Sequence, residues 1–165
     1  MRAARIDEEA IRLDTDFDRA VELNRQALEP FVQGDPRPVT ACFSRRDDVT
    51  LANPLGPPVR GAANVDRAIA AAAAQVRDGS VLGIQEVSRY STSDMGYVVQ
   101  LERTQARLGG NDNVSRIGLR VTMIFRREEE GWRVVHRHAD PITTPRPITT
   151  ALRGSFPDVE VEVES

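Results

Sequence analysis

The chain carries two histidines, His136 and His138. They stand two residues apart in a segment, Trp132 to Asp140, whose composition reads as a β-strand. Side chains at i and i+2 of a strand leave from the same face, so the pair would share a face with Trp132, Val134 and Asp140. A His/His/Asp group has two uses: proton transfer near neutral pH, or ligation of a metal ion. Two histidines on one strand, with only Asp140 as a further ligand, fall short of zinc-site spacing, so no metal is expected. The competing reading places both on the other face of the sheet, hydrogen-bonded near a contact between subunits. Other reactive residue types offer less. Cys42 is the single cysteine and lies among apolar neighbours, which suits packing better than nucleophilic attack. Gly109-Gly110 precedes no helix start, so it is a turn and not a phosphate loop. Arg126 and Arg127, followed by Glu128 to Glu130, make a solvated hairpin tip.

The hydrophobic pattern gives the elements that must hold these groups. Residues 1–13 are charged and weakly patterned and are expected to form an arm. Asp14, Thr15 and Asp16 offer caps for a first helix, with Phe17, Val21, Leu28 and Phe31 along one face. Pro30 should kink or divide that helix, and Gly34 should end it. Asp35-Pro36 opens a short second helix. Asp48 to Asn53 reads as a short strand, and Pro54 to Pro58 as a rigid loop. Gly61 to Arg77 is alanine-rich and predicts a third helix, stopped by Asp78-Gly79. Four strands follow, over Val81–Tyr90, Gly96–Arg107, Val114–Arg127 and Trp132–Asp140. The third of these alternates most clearly. Ile117, Leu119, Val121, Met123 and Phe125 make a dry face, and Arg116, Gly118, Arg120 and Thr122 a polar one. From Pro141 the chain is rich in proline and threonine, then acidic without sustained periodicity. The organisation is thus an arm (1–13), one domain (14–140) and a tail (141–165). Helices followed by antiparallel strands define an α+β class.

Composition sets bounds on partners. The chain has 165 residues, 40% hydrophobic and 28% charged, which fits one globular domain. A net charge of -3 argues against nucleic acid as a partner, because phosphate binding needs a basic surface. A single cysteine allows no internal disulfide and fits a reducing compartment. The N-terminal residues lack the apolar stretch of a signal peptide. The alanine tract Ala68–Ala74 is too short to span a bilayer. The expectation is a cytoplasmic protein without a membrane partner.

Two segments carry a resemblance. FRREEEGWRVVHRHADP (residues 125–141) is similar to the end of SnoaL-like domains of the nuclear transport factor 2-like superfamily. It is also similar to the end of the association domain of calcium/calmodulin-dependent kinase II. VTLANPLGPPVRG (49–61) resembles the matching segment of ketosteroid isomerases. With the element order, the resemblance covers residues 17–140. It implies a cone-shaped, cystatin-like fold in which a curved antiparallel sheet wraps around the N-terminal helices and encloses a pocket. It also implies a homodimer through the sheet in many members. It does not imply one reaction, since this fold hosts isomerases, cyclases, dehydratases and binding modules.

The site follows from the same comparison. Asn53 stands where the isomerases have their aspartate base, and an amide cannot abstract a proton at neutral pH. Ala27 and Arg120 stand where they have oxyanion donors, so steroid-type isomerisation is not expected. Counted from the Glu128–Gly131 turn, the family alignment directs Arg120, Thr122, Val135, Arg137 and Ala139 into the pocket. On the preceding strand it directs Val98, Gln100, Glu102 and Thr104 there. Two arginines in one cavity would hold a small organic anion such as a carboxylate, with Val98 and Val135 against its apolar part. Glu102 and Arg120 have a purely structural alternative, neutralising each other across adjacent strands. In an enzyme of isomerase, cyclase or dehydratase type, Glu102 or Asp140 would be the base. In a binding module the pocket would be occupied without reaction. No cofactor is implied. The register of the last hairpin decides whether the arginines or the His136/His138 group face the pocket, because a one-residue bulge reverses every side chain beyond it.

Overall fold

The computed structural model of the chain describes residues 8–149, with side chains from residue 16 onward. Residues 1–7 of the expected arm, and the tail beyond residue 149, lie outside the described residues. Helix α1 spans Glu8–Gln26, so the helix begins ahead of the Asp14 cap, through glutamate, alanine and arginine residues that favour helix. It breaks at Ala27, one turn before Pro30. Proline has no amide proton for the Gln26 carbonyl, and its ring crowds that carbonyl. The chain continues as α2, Leu28–Val32. Gly34 ends it at φ +98°, its amide bonded to the Phe31 carbonyl at 2.9 Å. Asp35 Oδ1 accepts from the Arg37 amide at 3.0 Å and opens α3, Arg37–Cys42.

Strands β1 (Thr50–Ala52) and β2 (Val59–Arg60) flank the proline loop, and α4 spans Ala62–Ala73. Four long strands complete the chain: β3 (Val76–Ser91), β4 (Met95–Leu108), β5 (Val114–Glu128) and β6 (Gly131–Asp140). The expected helix to Arg77 is therefore too long. Asp78-Gly79 is not a helix stop but an irregularity inside β3. Gly79 is where α2 crosses the strand. A Cβ there would collide with the Val32 carbonyl oxygen and lie 2.7 Å from Val32 Cβ.

The six strands form one sheet in the order β2-β1-β6-β5-β4-β3. The sheet is mixed and not wholly antiparallel, because β1 runs parallel to β6. The proline loop joins β1 to β2 as an antiparallel pair, and no hairpin ties β1 to β6. The core lies between the helices and the inner face of the sheet. Phe17 and Val21 of α1, Phe43, and Val65 and Ile69 of α4 pack there against Val121, Met123, Phe125 and Val134. Phe17 meets Phe125 edge-on at 5.5 Å and Trp132 at 5.0 Å.

One register corrects the sequence reading. Phe125 pairs with Val134, but Ile124 pairs with His136, so Val135 is a single-residue bulge. Beyond it, Met123 faces the same side as Arg137, and Val121 the same side as Ala139. The dry face of β5 is thus the inner face, and Arg120 with Thr122 turns outward. The expectation of a homodimer rested on that dry face being uncovered. The helices cover it, so this ground for a dimer is removed.

Candidate functional site

Between the helices and the inner face of β4–β6 lies a cavity of about 540 Å³. Leu28, Phe31, Val39 and Ile69 form its helical wall, and Ile117, Leu119 and Ala139 its sheet wall. Leu55, 69% exposed, belongs to the rim. Against this apolar lining stand Asn24, Asn53, Gln75, Glu102, Thr104 and Arg137.

Glu102 and Arg137 are the charged members. Arg137 Nη2 donates to Glu102 Oε2 at 2.6 Å, with side-chain exposures of 14% and 5%. Gln100 is fully buried, and its Nε2 donates to the other oxygen, Oε1, at 2.9 Å. The Gln100 Oε1 in turn accepts from Arg25 Nε at 3.1 Å, and Arg25 Nη2 donates to Glu86 at 2.6 Å. Hydrogen bonds from Arg89, and then from Arg25, outweigh burial and hold the Glu86 carboxyl below the usual range. A continuous polar chain thus runs along the inner face of the sheet, from the cavity wall to the solvent-reached Glu86, which pairs in register with Gln100. It fixes the Glu102 carboxylate from both oxygens. Among the described residues, Arg137 Nε and Nη1 make no hydrogen bond, so the guanidinium keeps donors for a guest.

The other residues expected at the site are elsewhere. Arg120 is on the outer face, half exposed, and donates to Asp140 Oδ2 at 2.7 Å. Burial works against the charged Asp140 carboxyl, but hydrogen bonds from Arg120 and the Ile142 amide outweigh it and keep its pKa low. Neither can act in the cavity, because the Val135 bulge reverses the face on which the expectation depended. Val98 is inward but completely buried in the core, away from the cavity lining. Val135 is itself the bulged residue and lines nothing. Asn53 does line the cavity, with its Oδ1 engaged by the Leu55 amide at 3.0 Å, an Asx-type turn.

The histidines are also on the outer face. His136 Nδ1 lies 2.8 Å from Thr50 Oγ1, and His138 Nε2 lies 3.9 Å from Asp140. Burial, then the charge of His138, push the His136 pKa down. Trp132 and Val134 do not share their face, since the bulge turns those two into the core. The cavity residue Asn24, and Arg25 behind the cavity wall, escaped the sequence reading. Asn24 lies three residues after Val21 and four before Leu28, which is the inward helical spacing. Arg25 acts through Gln100 and had no sequence signal.

A model of the SnoaL-like domain matches residues 21–143. The chain belongs to the SnoaL-like domain family. The solved structures it is similar to carry the same fold. One is a candidate dehydratase of the NTF2-like family from Streptomyces avermitilis, with a TM-score of 0.63 at 22% identity, covering 79% of this chain and 99% of that one. Another is a candidate association domain of calcium/calmodulin-dependent protein kinase type II from Thiobacillus denitrificans, with a TM-score of 0.58 at 22% identity, covering 75% and 93%. A third is an NTF2-like protein with a cystatin-like fold from Novosphingobium aromaticivorans, with a TM-score of 0.61 at 17% identity, covering 88% and 94%. At these identities the likeness is one of fold. No curated protein matches the sequence. Among the described residues of this SnoaL-like chain, no helix is long and apolar enough to cross a membrane.

Proposed function

We propose that this SnoaL-like protein binds a small, neutral, mainly apolar molecule whose carbonyl or hydroxyl oxygen docks on Arg137. The observation that carries this is the Glu102–Arg137 pair in the wall of an otherwise apolar cavity. An organic anion would need an unbalanced cation, and that expectation rested on Arg120 joining Arg137 inside. One arginine already balanced by one carboxylate leaves no charge to neutralise, and adding a carboxylate would bury a net charge. A neutral oxygen can take the free Arg137 donors without that cost.

The same geometry supports binding over proton transfer. Glu102 accepts a hydrogen bond on each carboxylate oxygen, from Gln100 and from Arg137, so both oxygens are already engaged. A base must come within hydrogen-bond reach of the proton it takes, and neither oxygen is left open toward a guest. Steroid-type isomerisation is not expected either, because Asn53 is no base and Arg120 points out of the cavity. A β,γ-unsaturated ketone should stay unconjugated in the protein's presence; turnover that survives Asn53→Ala would mean that the reacting groups lie elsewhere.

The test is a thermal-shift series of cyclic ketones, alcohols and matched carboxylates on wild type and Arg137→Gln. Ketones and alcohols should raise Tm more than the acids, by mass action, and lose the effect in Arg137→Gln. Larger shifts with acids, or shifts unchanged in the variant, would contradict the proposal.

A further inference from the structure

The outer face of the sheet carries an unbalanced basic patch. Arg103 of β4 pairs in register with Gly118 of β5, and Gln105 with Arg116, so both arginines flank Gly118 on that face. Both are exposed. Arg103 donates to the neutral Gln85 at 3.2 Å, and neither arginine has an acidic partner among the described residues. Arg120 is also on this face, already bonded to Asp140. Such a patch is unexpected in a chain with net charge -3.

The chain itself leads back to the patch. After β6, the Ile142 amide bonds to Asp140 Oδ1 at 2.9 Å, and the backbone turns over the sheet. Thr143 then lies on Gly118, 3.6 Å from where a Cβ of residue 118 would be. Thr143 therefore lies on the outer face between Arg116 and Arg120, and the C-terminal stretch 150–165 follows from there in sequence. Its sequence holds Asp158, Glu160, Glu162 and Glu164, alternating with Val159, Val161 and Val163. Eight residues lie between Thr149, the last described, and Asp158, so the two are joined by up to about 30 Å of extended chain.

We propose that the acidic segment Asp158–Glu164 docks on the outer face of its own chain, its carboxylates on Arg103 and Arg116. Single exposed ion pairs are weak. The tether changes the balance, because a covalently linked partner is present at an effective concentration in the millimolar range, about that of other short linkers. The contact should be strongly salt-dependent, since all its charges are near solvent.

The composition offers a clean test. The 22 basic residues are all arginine, so the chain has no lysine amine. In full-length Arg103→Lys, a zero-length carbodiimide joins the new amine only to carboxylates in contact with it. Arg116→Lys is the second variant, and Arg60→Lys on β2 the control. The expected product is an amide bond from residue 103 or 116 to the 158–164 peptide, in the monomer band. Its yield should fall severalfold between about 0.05 M and 0.5 M salt, as the Debye length shrinks. Absence of that peptide in both variants would overturn the proposal. Equal yield in Arg60→Lys, or yields indifferent to salt, would also overturn it. The product in a dimer-sized band alone would place the segment on a second copy and not on its own chain.

Discussion

Arg137 reaches Glu102 diagonally across the sheet, donating to Oε2 at 2.6 Å, although the register places Arg137 beside Met123 and Glu102 beside Leu119. The guanidinium therefore crosses the intervening strand on the cavity side, and the pair closes the polar end of the cavity. Removing one partner strands the other in a buried site. Arg137→Met should cost about 3–5 kcal/mol, the cost of an uncompensated buried charge. The double variant Glu102→Gln/Arg137→Met should be less destabilised than the sum of the singles, with a coupling of about 0.5–3 kcal/mol. Urea denaturation of the four proteins measures this; additive losses would mean that the pair is not coupled.

The outer pair of Arg120 and Asp140 should behave differently. Arg120 is half exposed, and exposed ion pairs contribute about 0–1 kcal/mol. Arg120→Gln should unfold within about 1 kcal/mol of wild type and keep every ligand-induced shift. Loss of ligand shifts in this variant would return Arg120 to the site.

Much of this arrangement was legible in the sequence, and the exception has one cause. The alternation of β4 sends Gln100, Glu102 and Thr104 inward, and Arg137 with Ala139 was read on the inner face of β6. The dry face of β5 was equally plain as a pattern, yet it was turned the wrong way. An unbroken hairpin from Glu128–Gly131 would align Thr122 with Arg137; the bulge aligns Met123 with it instead. Val135 carries no signal of this, since a β-branched residue in a strand is the ordinary case and not a mark of irregularity. The end of α4 was misread for a similar reason. Asp78-Gly79 has the composition of a helix stop, but its glycine is required by the closeness of Val32, a tertiary contact that sequence spacing does not show.

That contact makes a third prediction. Gly79→Ala places a methyl against the Val32 carbonyl and side chain, where the backbone of α2 must move. The expected cost is about 1–3 kcal/mol or more, as for other overpacked sites, and the displaced α2 should weaken ligand binding, since Phe31 lines the cavity. A wild-type Tm in Gly79→Ala would show that α2 does not sit this close to β3.

Acid should destabilise the fold in two steps. The folded-state pKa of His136 lies below its ordinary value of 6.5, through burial and the charge of His138. Its contribution is complete above about pH 6.5, where both states are neutral. It is lost as pH falls through the lowered folded value, since the unfolded chain takes up the proton first. Asp48, Asp140 and Glu128 are also held below their ordinary range. Their contributions are present above about pH 4 and lost below it. A Tm profile should therefore be level above neutrality, decline below pH 6.5 and fall more steeply below pH 4. His136→Asn should remove the first decline alone; a profile identical to wild type would contradict the assignment.

The central claim is that the neutral end of a ligand sits on Arg137 inside the cavity. The most direct measurement is the arginine Nε–Hε spectrum of ¹⁵N-labelled protein during titration with a bulky cyclic ketone, with the Arg137 signal assigned by its absence in Arg137→Gln. The account predicts a saturable shift of the Arg137 signal while that of Arg120 stays in place. An unmoved Arg137 signal under conditions where the ketone raises Tm would contradict it.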